Sequence, residues 1–129
     1  MPTPPETVIE FLTMLERPGG FADAIRTYFT AQTRYLNVGM SDTTGIEDTL
    51  SFVDGFMAST RTSWMRAEML ALAATGNKVL TERIDHLYDA DDQLVISLAV
   101  MGIFEVADGK VTGWRDYFDT AGIAGGAAA

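Results

Sequence analysis

Residues 94 to 106 read "LVISLAVMGIFEV", and the reading of this run decides the fold. Odd and even positions are apolar alike, so as a strand the run is apolar on both faces. Turn chemistry bounds it, "DADDQ" (89 to 93) on one side and "DGK" (108 to 110) on the other. A third such break, "GNK" (76 to 78), lies further upstream. These breaks mark out four strand-like runs, roughly 63–74, 78–88, 94–107 and 110–119, joined as hairpins.

The half before residue 63 is patterned differently. Thr3, with Pro4 after it and Glu6 three residues on, forms a capping box with proline in the first turn. Val8, Phe11, Leu12 and Leu15 then recur at helical spacing until "RPGG" (17 to 20) stops the helix. "FADAIRTYF" (21 to 29) reads as a second short helix and "TRYLNV" (33 to 38) as a strand. "TGIEDTLSFVDGFMAST" (44 to 60) reads as a third helix, with Ile46, Leu50, Val53, Phe56 and Met57 along one side. Helices followed by a mainly antiparallel sheet make an α+β fold, expected as one domain over 1–129 with a mobile tail from about 121. One face of the 94–106 strand covers the helices. Its other face calls for a second cover, which a copy of the chain in a homodimer would supply.

Composition narrows the function. With 47% hydrophobic residues over 129 positions, the chain can bury a core of its own. Cysteines are absent and histidine occurs once, at His86, so the sequence offers no disulfide, no thiolate metal site and no second histidine or cysteine to join His86 as a ligand, and no metal is expected. A net charge of −9 disfavours nucleic acid and anionic membrane surfaces, both of which repel it. The first residues, "MPTPPETVIE", lack a basic segment and a continuous apolar core, so a cytoplasmic location is expected. The partners left are small neutral molecules and protein.

Strand parity then picks out residues. Side chains two apart share a face. Tyr35 pairs with Asn37, Arg83 with Asp85, and Trp114 with Asp116, while Leu87 and Phe118 extend the last two sets. Parity alone leaves two readings open. These polar pairs either face solvent as an ordinary outer sheet face, or converge beneath the helices as two carboxylates, a guanidinium, a phenol and an amide in an apolar pocket. His86 falls on the face opposite Asp85, as a surface or dimer-interface residue.

"RYLNV", "ERIDHL" and "VMGIFEV" before "DGKVTGWRDYFD", in that order and spacing, resemble the limonene-1,2-epoxide hydrolase family. That family has the cone-shaped α+β fold of the nuclear-transport-factor-2-like, or SnoaL-like, proteins. The likeness runs from about Thr3 to Asp119, and its most specific part is "WRDYFD" combined with the upstream Arg-x-Asp. It implies a cofactor-independent, metal-free opening of a small apolar epoxide by water to a vicinal diol. Residue by residue, it implies Asp116 as base, Asp85 as acid, Arg83 between them, and Tyr35 and Asn37 positioning the water. Trp114, Leu87, Phe118, Leu98 and Val100 are the expected apolar wall. The same fold also serves isomerases, polyketide cyclases and non-catalytic binding modules, and these are the alternatives.

Overall fold

The computed structural model describes residues 1–121 and 123. Residue 122 and residues 124–129 lie outside the described residues, and with them most of the tail expected to be mobile. Three helices, α1 (Pro4–Met14), α2 (Gly20–Tyr28) and α3 (Ile46–Thr60), pack on a sheet of six strands. The strands are β1 (Phe29–Asn37), β2 (Ser41–Thr44), β3 (Trp64–Thr75), β4 (Lys78–Tyr88), β5 (Leu94–Ala107) and β6 (Lys110–Tyr117).

Local chemistry accounts for most of the boundaries. The capping box forms as expected, with the Thr3 hydroxyl accepting from the Glu6 amide and the Glu6 carboxylate accepting from the Thr3 amide. Asp108 and Gly109 both adopt positive φ, the backbone of a two-residue hairpin turn, which sets β6 directly beside β5. Strand β2 departs from the sequence reading. "SDTT" has no apolar alternation, and only its pairing with β1 makes it a strand.

The sheet order is β2-β1-β6-β5-β4-β3. Every pair is antiparallel except β1 with β6, which run parallel. That parallel pairing is the long-range step, because it brings Asn37 opposite Asp116 and Tyr35 opposite Trp114. Register shifts interrupt four of the five pairings, and bulges of this kind bend strands. The sheet is not closed, and its concave face takes the helices.

The core follows the expected periodicity. On β4 the positions Val79, Thr81, Arg83, Asp85 and Leu87 are all buried, and the positions between them are exposed or half-buried. On β5, Val100, Gly102, Phe104 and Val106 turn inward, with Ile96 and Leu98 half-buried on the same face. Phe11 of α1 sits at the centre, packed edge-on against Trp114 and stacked on Phe29. Burying large aromatic rings against one another supplies both area and geometric preference.

Candidate active site

The second reading of the strand parity is the one the structure bears out. Arg83, Asp85 and Asp116 meet on the inner face, each at least 94% buried. Register brings them together. Asp116 of β6 lies opposite Gly102 of β5, which lies opposite Thr81 of β4, and Arg83 reaches across from the next inward position.

All five N–H groups of Arg83 are engaged. Nε and Nη2 donate to the two oxygens of Asp85 at 3.1 and 2.9 Å. Nη1 and Nη2 donate to the two oxygens of Asp116 at 3.3 and 2.9 Å. The second N–H of Nη1 goes to the Thr81 hydroxyl at 2.9 Å. A guanidinium has five donors in a rigid fork, so this cluster leaves none of them unpaired. Asp116 accepts a further bond from Trp114 Nε1 at 2.8 Å, which gives it three N–H donors against two for Asp85.

Burial shifts the charges in opposite senses. For Asp116, loss of hydration pushes the carboxyl above its ordinary value, and the field and hydrogen bonds of Arg83 and the Trp114 donor act the other way without cancelling it. For Arg83, burial alone favours loss of the proton, but the charges and hydrogen bonds of Asp116 and Asp85 together outweigh it and hold the guanidinium ionised. The Tyr35 phenol is pushed up by burial and by the charge of Asp116, so it stays protonated and able to donate.

A cavity of about 40 Å³ opens onto this cluster. That is room for water, which needs only about 10–15 Å³ on the same measure. Asp85, Asp116, Tyr35 and Asn37 supply its polar surface. Leu87, Leu98, Val100 and Phe118 line it, joined by residues that the sequence reading did not place in its wall, among them Phe21, Phe52, Phe56 and Ile123. Phe118 lies just past the end of β6, which stops at Tyr117. Asn37 Nδ2 donates to the Ser41 hydroxyl at 3.0 Å, tying the amide to β2.

Trp114 requires a correction. It does not line the cavity but lies behind Asp116, stacked between Tyr35 (ring centroids 4.1 Å apart) and Phe104 (4.9 Å). Its indole N–H is its contribution to the site. Two further residues were missed although the sequence carries a signal for each. Thr81 shares parity with Arg83 and Asp85, and Gly102 interrupts an otherwise apolar strand, a mark of close approach. A Cβ at Gly102 would run into Asp116 Oδ1 and Arg83 Nη1, so the cluster occupies the space a side chain there would need.

His86 points to the outer face, bonded to Ser97 and Glu68. Among the described residues no group of three or more His, Asp or Glu side chains is placed to hold a metal ion, and no helix is long and apolar enough to cross a membrane.

With this geometry in hand, the comparisons become specific. The pattern of the limonene-1,2-epoxide hydrolase catalytic domain matches residues 2–127. A structure of an M. tuberculosis limonene-epoxide-hydrolase-like epoxide hydrolase superposes with a TM-score of 0.73 at 30% identity, covering 95% of this chain and 86% of that one. Epoxide hydrolase EphG of Mycobacterium tuberculosis is 50% identical over 48 residues, which is 37% of this chain and 31% of that protein's length. A SnoaL-like protein from Jannaschia sp. CCS1 superposes at a TM-score of 0.75 with 17% identity, covering 98% of this chain and 92% of that one, a likeness of fold alone.

Proposed function

The chain belongs to the limonene-1,2-epoxide hydrolase family, and from that premise we propose that it opens a small apolar epoxide with water to give a vicinal diol. The observation that carries this reading is the pair of carboxyl groups clamped by one guanidinium at the edge of a water-sized cavity. Epoxide opening by water has two proton demands. The attacking water must lose a proton, and the departing ring oxygen must gain one. Two carboxyl groups meet both demands when one is charged and the other neutral, and two so close to each other favour that state.

By resemblance to the family Asp116 is the base and Asp85 the acid. Three N–H groups converge on Asp116 against two on Asp85, which supports a charge on Asp116, while its burial opposes that charge. Asp116 takes a proton from the water as its oxygen bonds to one epoxide carbon. The C–O bond on that carbon breaks, and Asp85 protonates the oxygen released. Burial makes Asp116 a stronger base than a solvated carboxylate. The Tyr35 hydroxyl and the Asn37 amide hold the water while one lone pair stays free to attack, which supplies the orientation. No cofactor or metal enters these steps.

Leu87, Leu98, Val100 and Phe118 form an apolar wall for the carbon skeleton. Phe56, Leu87 and Ile123 also border a second cavity of about 290 Å³, where parts of a substrate too large for the inner chamber can extend. The chain acts as one domain in this reading, and as a homodimer. On the outer face of the sheet Met101 lies beside Tyr117 and Leu80 beside Ile103. Leu80, Met101 and Tyr117 are each at least 41% exposed, an apolar surface that suits a second copy.

The test is a panel of cyclic, styrene-type and long-chain epoxides assayed for diol, followed by one turnover with excess enzyme in heavy-oxygen water. Labelled diol and unlabelled protein are expected. Label appearing in an aspartate would replace direct water attack with a covalent ester route, and no turnover of any epoxide would overturn the reading as a whole.

A further inference from the structure

We propose that Thr81 is a positioning residue for this reaction, fixing the roll of the Arg83 guanidinium so that it stays midway between the two carboxyl groups while charge passes from one to the other. The inference rests on the epoxide-hydrolase reading of the site and assigns a role to a side chain that does not border the cavity.

The guanidinium has three edges, and each has its own partner. The Nε/Nη2 edge faces Asp85, the Nη1/Nη2 edge faces Asp116, and the remaining N–H of Nη1 faces Thr81. The Thr81 hydroxyl has only one proton, which goes to the Gly102 carbonyl at 3.0 Å. Its oxygen must therefore accept. Because Thr81 and Gly102 are direct partners in the β4–β5 ladder, that acceptor is tied to the sheet itself. Arg83 is thus held at its third edge by a neutral group that takes no part in the proton transfers.

The reaction makes that neutrality useful. Before attack the negative charge lies on Asp116, and after protonation of the leaving oxygen it lies on Asp85. An unanchored guanidinium would follow the charge, drawing closer first to one carboxylate and then to the other, and its reorganisation would add to the barrier. Arg83 instead stands at 2.9 Å from the nearest oxygen of each carboxyl group. The void at Gly102 lets Asp116 and Arg83 close up on Thr81, since a side chain there would separate them.

The titratable groups that face Arg83 are Asp85 on its own strand, Asp116 on β6 and the Tyr35 phenol on β1. Without the anchor, Arg83 settles onto the charged Asp116 in the resting enzyme and stabilises that charge. Asp116 becomes a weaker base, and its titration moves to lower pH.

The experiment compares Thr81→Val, which keeps the shape and removes the hydroxyl, with Thr81→Ser, which restores it. For Thr81→Val a fall in kcat of about tenfold or more is expected, with KM nearly unchanged and the acid limb of kcat/KM shifted to lower pH. Thr81→Ser should recover both. Side-chain nitrogen NMR on the same proteins should show slowed exchange of the Arg83 N–H protons in the wild type and in Thr81→Ser, and faster exchange in Thr81→Val. Should Thr81→Val not fold, Thr81→Cys, a weak acceptor of similar size, carries the same test. A wild-type kcat and acid limb in the hydroxyl-free variant would overturn the proposal. So would a loss of activity that leaves the acid limb in place and is not recovered by serine, the result of a merely structural role. If the wild type turns over no epoxide, the functional reading fails first, and the exchange measurement alone then decides whether Thr81 holds Arg83.

Discussion

On one face of β4, Arg83 and Asp85 turn inward to Asp116, while one residue further on His86 turns outward to Ser97 and Glu68. Both clusters span three strands, and both join a nitrogen-bearing side chain to carboxylate at hydrogen-bond distance, two carboxylates in the inner cluster and one in the outer. By residue type the outer one looks the more reactive, since a serine, a histidine and a glutamate in series are the parts of an activated nucleophile. Their surroundings reverse that ranking. The Glu68 side chain is 44% exposed and Ser97 is open to solvent, so hydration screens the outer cluster. The Arg83 side chain is fully buried and the carboxylates beside it nearly so. Enclosure raises the base strength of Asp116, admits water only in small number and brings apolar surface to the reacting atoms. In the proposed reading, enclosure more than residue type is what suits the inner cluster to chemistry.

The comparison is broken most severely by removing a proton carrier from the inner cluster. Asp116→Asn and Asp85→Asn are each expected to lower kcat by about 10² to 10⁴-fold, with circular dichroism and melting behaviour showing a folded protein. Near-normal diol formation in either variant would mean that the clamp is structural. The two losses should also fail to add, because the groups act as one unit.

Next in size come changes to the clamp itself. Arg83→Lys keeps the charge but offers three donors from a single point where five now radiate from a plane, and about a hundredfold loss is expected. Gly102→Ala should do comparable damage without altering any charge, because its methyl group would displace Asp116 and Arg83. Gly102 does not adopt a positive φ, so crowding alone is at work. An active Gly102→Ala enzyme would show that the cluster tolerates being spread apart.

How far the sequence foretold this arrangement can be argued from the same residues. Parity on β4 and β6 put Arg83, Asp85 and Asp116 on consistent faces, because alternation along a strand is local and the hairpin turns fix which strands are neighbours. Capping chemistry at Thr3 and the apolar spacing of the helices were legible for the same reason. Local pattern does not reveal where a strand from the first half joins the sheet. The parallel β1–β6 pairing, which carries Tyr35 and Asn37 to Asp116, is a long-range event, and β2 forms only as its consequence. Depth was hidden too. Trp114 shares a face with Asp116, yet parity cannot distinguish a side chain that lines a cavity from one that lies behind its wall.

A smaller effect sharpens the contrast through pH. Burial raises Asp116 above the ordinary carboxylate value of about 3.9, while no such enclosure acts on the outer face. In the free enzyme Asp116 must be charged to act, so the acid limb of kcat/KM should lie above that value. The stability consequence has a definite sign. A carboxyl whose folded-state value is raised contributes stability below its ordinary value and loses that contribution as pH climbs through the raised one. Asp116→Asn does not titrate there, so its Tm relative to wild type should become more favourable between acidic and mildly alkaline pH. A constant difference across that range would mean that Asp116 is solvated.

The smallest expected effect lies on the outer face. His86 makes two hydrogen bonds there, to Ser97 at 2.7 Å and to Glu68 at 2.9 Å, and its side chain is 16% exposed. The histidine lies on the opposite side of the sheet from the cavity and borders none of its surface. His86→Ala should therefore leave kcat and KM within about twofold of wild type, and the loss of its partly exposed hydrogen bonds should alter stability by only about 1 kcal/mol. Steady-state kinetics and a melting curve measure both. The same variant also bears on the proposed homodimer, since the exposed Met101, Tyr117 and Leu80 share this face. Sedimentation should show the wild type as a dimer that Met101→Glu weakens more than His86→Ala does, and a monomeric wild type would overturn the proposed dimer. A kinetic collapse in His86→Ala would mean that the outer cluster communicates with the reacting atoms through the sheet, and enclosure would no longer be a sufficient ground for assigning the chemistry to one face of β4 and not to the other.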